Sequence, residues 1–578
     1  LTITKTYTAE EKNITRNTKF IDHKNPIKMK HLTLILFSAI LLFSCSDGTK
    51  KSHMETNGIY EASTDMDMAL AKYMPVRLDA DLSGLDANEK EVLRLFIEAS
   101  RIMDTLFWYQ AYGERNEFME KINDLKLRQF AEINYGPWDR LGGNEPFIKG
   151  FGDKPAVANF YPADMSKEEF ENWAAEDKES LYTMIRRDEN GDLVAIPYNV
   201  YFGDQLNRAA DLLIKASEIT DDVQLKTYLI SRANAFRTNE YFDSDMAWMD
   251  MTDSKFDLVI GPIENYEDRL FGYKAAFEGF VLLKDLEWSK KLDRYVAFLP
   301  ELQRTLPVPA KYKAEKPGAD AQLFVYEALY YGGDCNAGGK TIAINLPNDE
   351  RVQLEKGARR LQLKNSMKAK FDNILVPISG IVIDEEQSQG INFDAFFYNV
   401  MFHEVAHGLG IKNTITGKGP VRTALRDMYS VIEECKADIL GLYMVQQLHK
   451  KGIIGGNIED YYTTFMAGIF RSIRFGASSA HGKANLMSFN FFNEMNAFTK
   501  DSQTGLYRID VKAYEAALAE LSRQILLIQG DGDYEKGVEF VAKYSVMTDE
   551  LSNDLKLINE SGIPIDIVFE QGPEVLGL

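Results

Sequence analysis

The chain runs to 578 residues, 45% hydrophobic and 26% charged, proportions of a folded globular protein too long for one small core, so two large lobes are expected. A net charge of -21 without any basic stripe argues against a nucleic-acid binder. Three cysteines exclude a disulfide-built fold while leaving a single bridge open.

In chain order, residues 1–28 are polar and basic and are expected to lie outside the native protein. Met29-Lys30-His31 then leads an apolar run, Leu32 to Phe43, too short to span a bilayer as a stable helix. The run lacks the amphipathic stripe of a buried helix. It closes on Leu42-Phe43-Ser44-Cys45, which resembles the lipobox of bacterial lipoprotein signal peptides. The resemblance implies a signal peptide over 29–44 and a lipid anchor at Cys45. It also implies a tether over 45–60 and an exported protein held at the membrane on its periplasmic or cell-surface side.

From Asp86 to Gln110 apolar residues recur at helical spacing (Val92, Leu93, Phe96, Ile97, Met103, Leu106, Phe107). Ser166 with Glu169 has the form of a capping box opening another helix. Gly203 to Phe236 predicts two helices broken near Thr220-Asp221-Asp222. Strands are predicted at Phe256–Ile260, stopped by Gly261-Pro262, and at Phe277–Leu283, Lys340–Leu346, Leu375–Ile383 and Ile565–Phe569. After Ala395 the pattern is nearly all helix up to the tail. The fold class is therefore α+β and predominantly helical.

Inside the helix predicted from Asp394 to His407 stands His403-Glu404-Val405-Ala406-His407, followed by Gly408-Leu409-Gly410. An i, i+4 spacing places the imidazoles of His403 and His407 one turn apart on one face, where both can hold one metal ion. Glu404, beside the first ligand, can reach a water at that metal without binding it, which is the H-E-x-x-H zincin arrangement. Gly408 and Gly410 are expected to end the helix in left-handed geometry. Catalytic zinc takes three protein ligands and keeps one position open. The third is sought 27 residues on from His407, in the helical stretch Glu433-Glu434-Cys435-Lys436-Ala437-Asp438. Glu434 and Asp438 are one turn apart, so one can bind metal while the other holds a ligand imidazole by its second nitrogen. Cys435 is read as packing, and His53 and His449 as surface residues.

Side by side, H-E-x-x-H and Glu-Glu-Cys-Lys-Ala-Asp resemble the two zinc motifs of the dipeptidyl peptidase III family of metallopeptidases. Further segments resembling that family follow in order. They are Gly261-Pro262-Ile263-Glu264, Phe277-Glu278-Gly279-Phe280-Val281, Asn345-Leu346-Pro347-Asn348 and Ala480-His481. Ile133-Asn134-Tyr135-Gly136-Pro137-Trp138-Asp139 resembles a segment of its bacterial members. The resemblance implies two lobes around a wide cleft, a mainly helical zinc-binding lobe and a mixed lobe with a small β-barrel-like core. On this plan the mixed lobe takes 61–283 and 329–384, the helical lobe 284–328 and 385–550, and the tail 551–578. His403, His407 and Glu434 are then the Zn2+ ligands, Glu404 the general base and His481 the donor to the transition state. Glu433 and Asp438 support the ligands, and Asn345, Asn348 and Asp257 bind the oligopeptide substrate.

This chain departs from better-known members in a regular five-residue H-E-x-x-H and in Asp257 where a longer Glu is usual. Val259 stands where the family has a tyrosine aiding the transition state, with Tyr266 as a nearby substitute. Loss of one such donor costs about a hundredfold in rate. Two other functions share the same residues: a zinc hydrolase with an endopeptidase or aminopeptidase cut, and a non-catalytic ligand-binding lipoprotein.

Overall fold

The computed structural model describes residues 58–317 and 321–578. The lipobox-like stretch, Cys45 and the tether up to residue 57 lie outside the described residues. A first strand, β1 (Tyr73–Arg77), precedes the long helix α1 (Ala87–Ala111). Asp86 caps α1 and forms a reciprocal box with Glu89, satisfying donors that a helix start otherwise leaves open. The predicted apolar face of α1 is buried as expected, from Val92 and Leu93 through Phe107. Helices α2 (Gly203–Ile219) and α3 (Val223–Thr238) part at Thr220, where Asp222 accepts from the Leu225 amide and restarts the helix. Helix α4 (Phe242–Asp250) leads into the sheet.

That sheet has five strands: β2 (Phe256–Glu264), β3 (Ala276–Lys284), β4 (Ala321–Gly333), β5 (Ala343–Leu346) and β6 (Ala358–Leu363). Their spatial order is β2-β3-β4-β6-β5, with β4 and β6 parallel and the other neighbours antiparallel. The edge strands β2 and β5 approach one another where Asn348 Nδ2, just past β5, donates to the Ile263 carbonyl at 3.1 Å. Gly261-Pro262 does not end β2, contrary to expectation. Pro262 lacks an amide hydrogen, which an edge strand tolerates, and the strand continues to Glu264 through a shift in register.

The remaining helices carry the site: α5 (Phe393–Ala406), α6 (Tyr429–Lys450), α7 (Ile458–Ile473), α8 (Ala480–Glu494) and α9 (Val511–Asp531). A last strand, β7 (Asp566–Glu570), returns to pair in parallel with β1, Tyr73 opposite Asp566. Leu375–Ile383, expected as a strand, is helical, with Phe371–Leu375 running into Val376–Val382. Ile374, Ile378 and Val382 recur at i, i+4 and are buried, so one helical face packs and outweighs the β-branched composition. Pro377 lies inside this continuous helical run directly after the wider turn of Phe371–Leu375, a π-helical stretch of the kind at which a helix interruption is accommodated.

Two hydrophobic cores result. One is built by residues from Met66 to Leu282, by most of β4 to β6, and by residues of the C-terminal strand packed against it. The other is built by Trp288 to Tyr312 and by Met367 to Ile558, with Val325 of β4 reaching into it. The protein is thus predominantly helical α+β, in two lobes.

Candidate metal centre and substrate cleft

Asn392 caps α5 by accepting from the Ala395 amide at 2.9 Å, and α5 ends with His407 as its C-cap. Gly410, at φ +87°, supplies the left-handed turn beyond it; Gly408, expected to share that geometry, does not. Helix α6 crosses directly against α5. The close approach rests on Gly441, where a Cβ would lie 2.8 Å from the His403 amide nitrogen and 2.9 Å from the Phe402 carbonyl carbon. No other residue type fits between the two backbones.

This crossing brings the two motifs together. Ligand atoms of His403, His407 and Glu434 all lie within 4.8 Å of one another. The imidazole centroids are 5.0 Å apart. Glu434 Oε2 lies 3.3 Å from His403 Nε2 and 3.9 Å from His407 Nε2. It is buried with no donor among the described residues aligned to bond it, although His403 and His481 each bring an Nε2 within 3.3 Å. A buried carboxylate oxygen left unsatisfied between two imidazole nitrogens is costly unless a cation completes it. The donor set, two imidazoles and one carboxylate, suits a divalent metal and matches that of catalytic zinc sites.

Each histidine is held by its other nitrogen. His403 Nδ1 meets Asp438 Oδ1 at 2.7 Å, and His407 Nδ1 meets Glu433 Oε1 at 2.9 Å. These bonds fix the rings with Nε2 turned toward the shared point. Glu433 is itself anchored by Lys436 Nζ at 2.7 Å and by Gln529 Nε2 of α9 at 2.9 Å. Burial works against the charge of Glu433, yet Lys436 and His407 outweigh it and hold the carboxyl at about 2. Lys436 also donates to the carbonyls of His407 and Leu409 at 3.3 and 3.0 Å, capping the end of the metal helix. Asn485 of α8 holds the second oxygen of Asp438 at 3.1 Å.

Glu404 faces the cavity beside His403, partly exposed, with Arg360 Nε 3.7 Å from its Oε2. The Arg360 guanidinium also donates to the Glu404 main-chain carbonyl, tying β6 to α5. His481, near the start of α8, is 64% exposed, with Nε2 3.1 Å from Glu434 Oε2. Asn345 sits opposite Arg360 in the β5–β6 ladder and is exposed, as is Asn348. The structure therefore gathers His403, Glu404, His407, Glu433, Glu434, Asp438 and His481 at one point.

Asp257 is placed elsewhere. It is 1% exposed, accepts from Trp248 Nε1 at 2.7 Å and Tyr326 OH at 2.8 Å, and faces Arg359 at 3.3 Å. Its oxygens are engaged inside the mixed lobe, so it is not an open amine site in this structure. Val259 and Tyr266 line a cavity of about 610 Å³ with Glu264, Asn348 and Asp349, not the smaller cavity at the metal ligands. Cys435 is buried and burial pushes its thiol up to about 12, as expected of packing; Cys335 and Cys435 are both free. His449 Nε2 donates to the Gly456 carbonyl, 2.9 Å away on the surface.

Sequence reasoning missed Gln529, Asn485, Arg360 and Gly441. Gly441 left a trace, an isolated glycine inside a helical pattern, which marks a packing contact. Gln529 left none, being an ordinary polar residue 96 positions from Glu433.

A profile described as peptidase family M49 matches residues 157–421. The fold superposes on dipeptidyl peptidase III from Caldithrix abyssi with a TM-score of 0.83 and 40% identity, covering 88% of this chain and 99% of that one. Dipeptidyl-peptidase III from Corallococcus sp. strain EGB gives a TM-score of 0.71 and 37% identity, covering 88% and 97%. A protein named Nudix hydrolase 3 from Arabidopsis thaliana is 35% identical over 573 residues, 87% of this chain and 73% of that protein.

Proposed function

This chain belongs to the dipeptidyl peptidase III family, peptidase family M49, and from that footing we propose a zinc-dependent peptidase that releases dipeptides from the N-termini of oligopeptides. The observation that carries the proposal is the convergence of the Glu434 carboxylate with two oriented imidazoles, their ligand atoms within 4.8 Å of one another and Glu404 beside them. A zinc ion held by His403, His407 and Glu434 would supply Lewis acidity toward water and a peptide carbonyl.

The chain's own residues do the rest. Strand β5 pairs with β6 on one side only, so its other edge can take an extended peptide as an added strand, with Asn345 and Asn348 beside it. Glu404 takes the proton of the attacking water and returns it to the departing amine. The Arg360 contact to its carbonyl keeps it on station. His481, 64% exposed and lining the cavity beside Glu404, offsets charge developing on the carbonyl oxygen. With Asp257 sealed in the core, the free amine of the substrate falls to Glu264, half-buried in the larger cavity near Asn348. Burial holds the Glu264 carboxyl above its usual range, and an ammonium partner favours its charged form.

The burial of Asp257 also favours a second reading, an aminopeptidase or endopeptidase cut with looser hold on the amine. Elemental analysis with cleavage assays on wild type and Glu404→Gln tests the proposal. One equivalent of zinc is expected in both, with dipeptidyl arylamides cleaved by wild type alone. Release of single residues, or cleavage of N-blocked peptides only, would install the second reading. Membrane attachment belongs to the same proposal, supported by the lipobox-like Leu42–Cys45. Cys45→Ser should then move the protein from the membrane to the soluble fraction.

A further inference from the structure

The metal-side cavity, about 360 Å³, is bounded on one flank by His403, Glu404 and His481 and on the other by α7. Thr464, Gly468 and Arg471 follow each other at one-turn spacing along α7, so a single helical face looks into the cavity. Arg471 has no carboxylate or hydrogen-bond partner among the described residues, and its Nε is buried without an acceptor. The acid that influences it is Asp566, whose oxygens already take Lys370 Nζ at 2.9 Å. Lys370, Arg471 and Lys340 therefore share one carboxylate, leaving an unbalanced guanidinium in a protein of net charge -21. Burial lowers the pKa of Arg471 and Asp566 only partly opposes it. Thr464 Oγ1 and Asn399 Oδ1, on the same walls, are also buried without partners among the described residues. The Phe396 ring lies 5.7 Å from the guanidinium and steadies its plane.

The direction of the cleft gives this arginine a role. Ala343, at the start of β5, lines the cavity with Arg471, while Leu346 and Asn348, at its end, line the one with Glu264. A peptide whose amine sits by Glu264 and whose scissile bond sits by Glu404 directs its departing segment toward Ala343 and α7. We propose that Arg471 receives the free C-terminal carboxylate of a short oligopeptide substrate. Planar guanidinium–carboxylate pairing is the contact that best satisfies such a group. A purely structural role is already filled, since Lys370 neutralises Asp566. The proposal rests on the peptidase reading above.

The test compares a tri- to hexapeptide series, each as free acid and as C-terminal amide. Kinetics are measured on zinc-loaded wild type, Arg471→Met and Arg471→Lys, and equilibrium binding on Glu404→Gln with and without Arg471→Met. In wild type the acid should exceed its amide by about tenfold or more in kcat/KM at one or two lengths, through KM. Arg471→Met should bring that ratio near one, and Arg471→Lys should restore part of it. An acid-to-amide ratio near one at every length in wild type overturns the proposal without any variant. So does an Arg471→Met loss shared equally by acid and amide. If no peptide is cleaved, the peptidase reading fails. The binding arm then decides alone: about tenfold tighter binding of acid than amide to Glu404→Gln, lost with Arg471→Met, upholds the carboxylate site, and equal binding removes it.

Discussion

At the scale of single residues, the centre is organised by what stands behind the ligands. Asp438 and Glu433 set which imidazole nitrogen is free, and Asn485 and Gln529 in turn hold those carboxylates. Asp438→Asn keeps the shape but removes the charge that orients His403. Metal affinity should fall by about 10–100-fold, read by competition against a chelating dye. Lys436→Met should have a larger structural effect than its surface-like chemistry suggests. It leaves Glu433 without its cation and two carbonyls at the end of α5 without a donor, a loss on the order of 2–5 kcal/mol of stability measured by denaturant unfolding. The cluster of His403, His407 and Glu434 was legible in part because a helix writes its geometry into spacing: His403 and His407 stand at i, i+4, as do Glu434 and Asp438, while the choice of Glu434 came from the family resemblance. Gln529 and Arg360 were illegible because tertiary packing alone brings them in, and their residue types announce nothing.

At the scale of elements, the α5–α6 crossing is the joint on which the site depends. Gly441→Ala places a methyl against the His403 backbone, so the helices must part by a few tenths of an ångström or more. Overpacking of this kind costs about 1–3 kcal/mol. Thermal melts of Gly441→Ala should show lower Tm both with and without metal, and weaker metal binding, since His403 moves with its helix. Helices were read well from sequence and strands less so. Strand β4 was missed because, buried on both faces, it shows no clean alternation. Strand β6 was missed because Arg359 and Arg360 signal a surface. Yet Arg359 is fully buried against Asp257, and Arg360 reaches the metal helix. Asp257 took its expected role from the family resemblance, whereas its partners here, Trp248, Tyr326 and Arg359, are all internal.

At the scale of the whole molecule, stability should depend on pH through Asp334, at the end of β4. Burial and then Glu267 raise its carboxyl to about 7, with Arg140 and Lys154 opposing. The folded state therefore holds a proton that the unfolded chain releases near its ordinary value of 3.8. The sign follows: stability is unaffected by this group below about pH 4 and declines as pH climbs through about 7, by on the order of a few kcal/mol. Asp334→Asn should flatten that decline, giving a higher Tm than wild type at pH 8 and little difference near pH 4. Removing metal with a chelator should lower Tm, and adding zinc back should restore it, by the linkage of binding to folding.

The polypeptide passes from one apolar core to the other and back, so that each is stitched from separate stretches of chain. Neither half can be cut out with a single pair of scissors. A recombinant piece ending near residue 284 would lack three of the five strands it needs, and one starting there would carry those strands with nothing to cover them. Domain swapping, fragment expression and modular transfer between relatives are thereby closed to this architecture. Its variation must come by substitution within the whole.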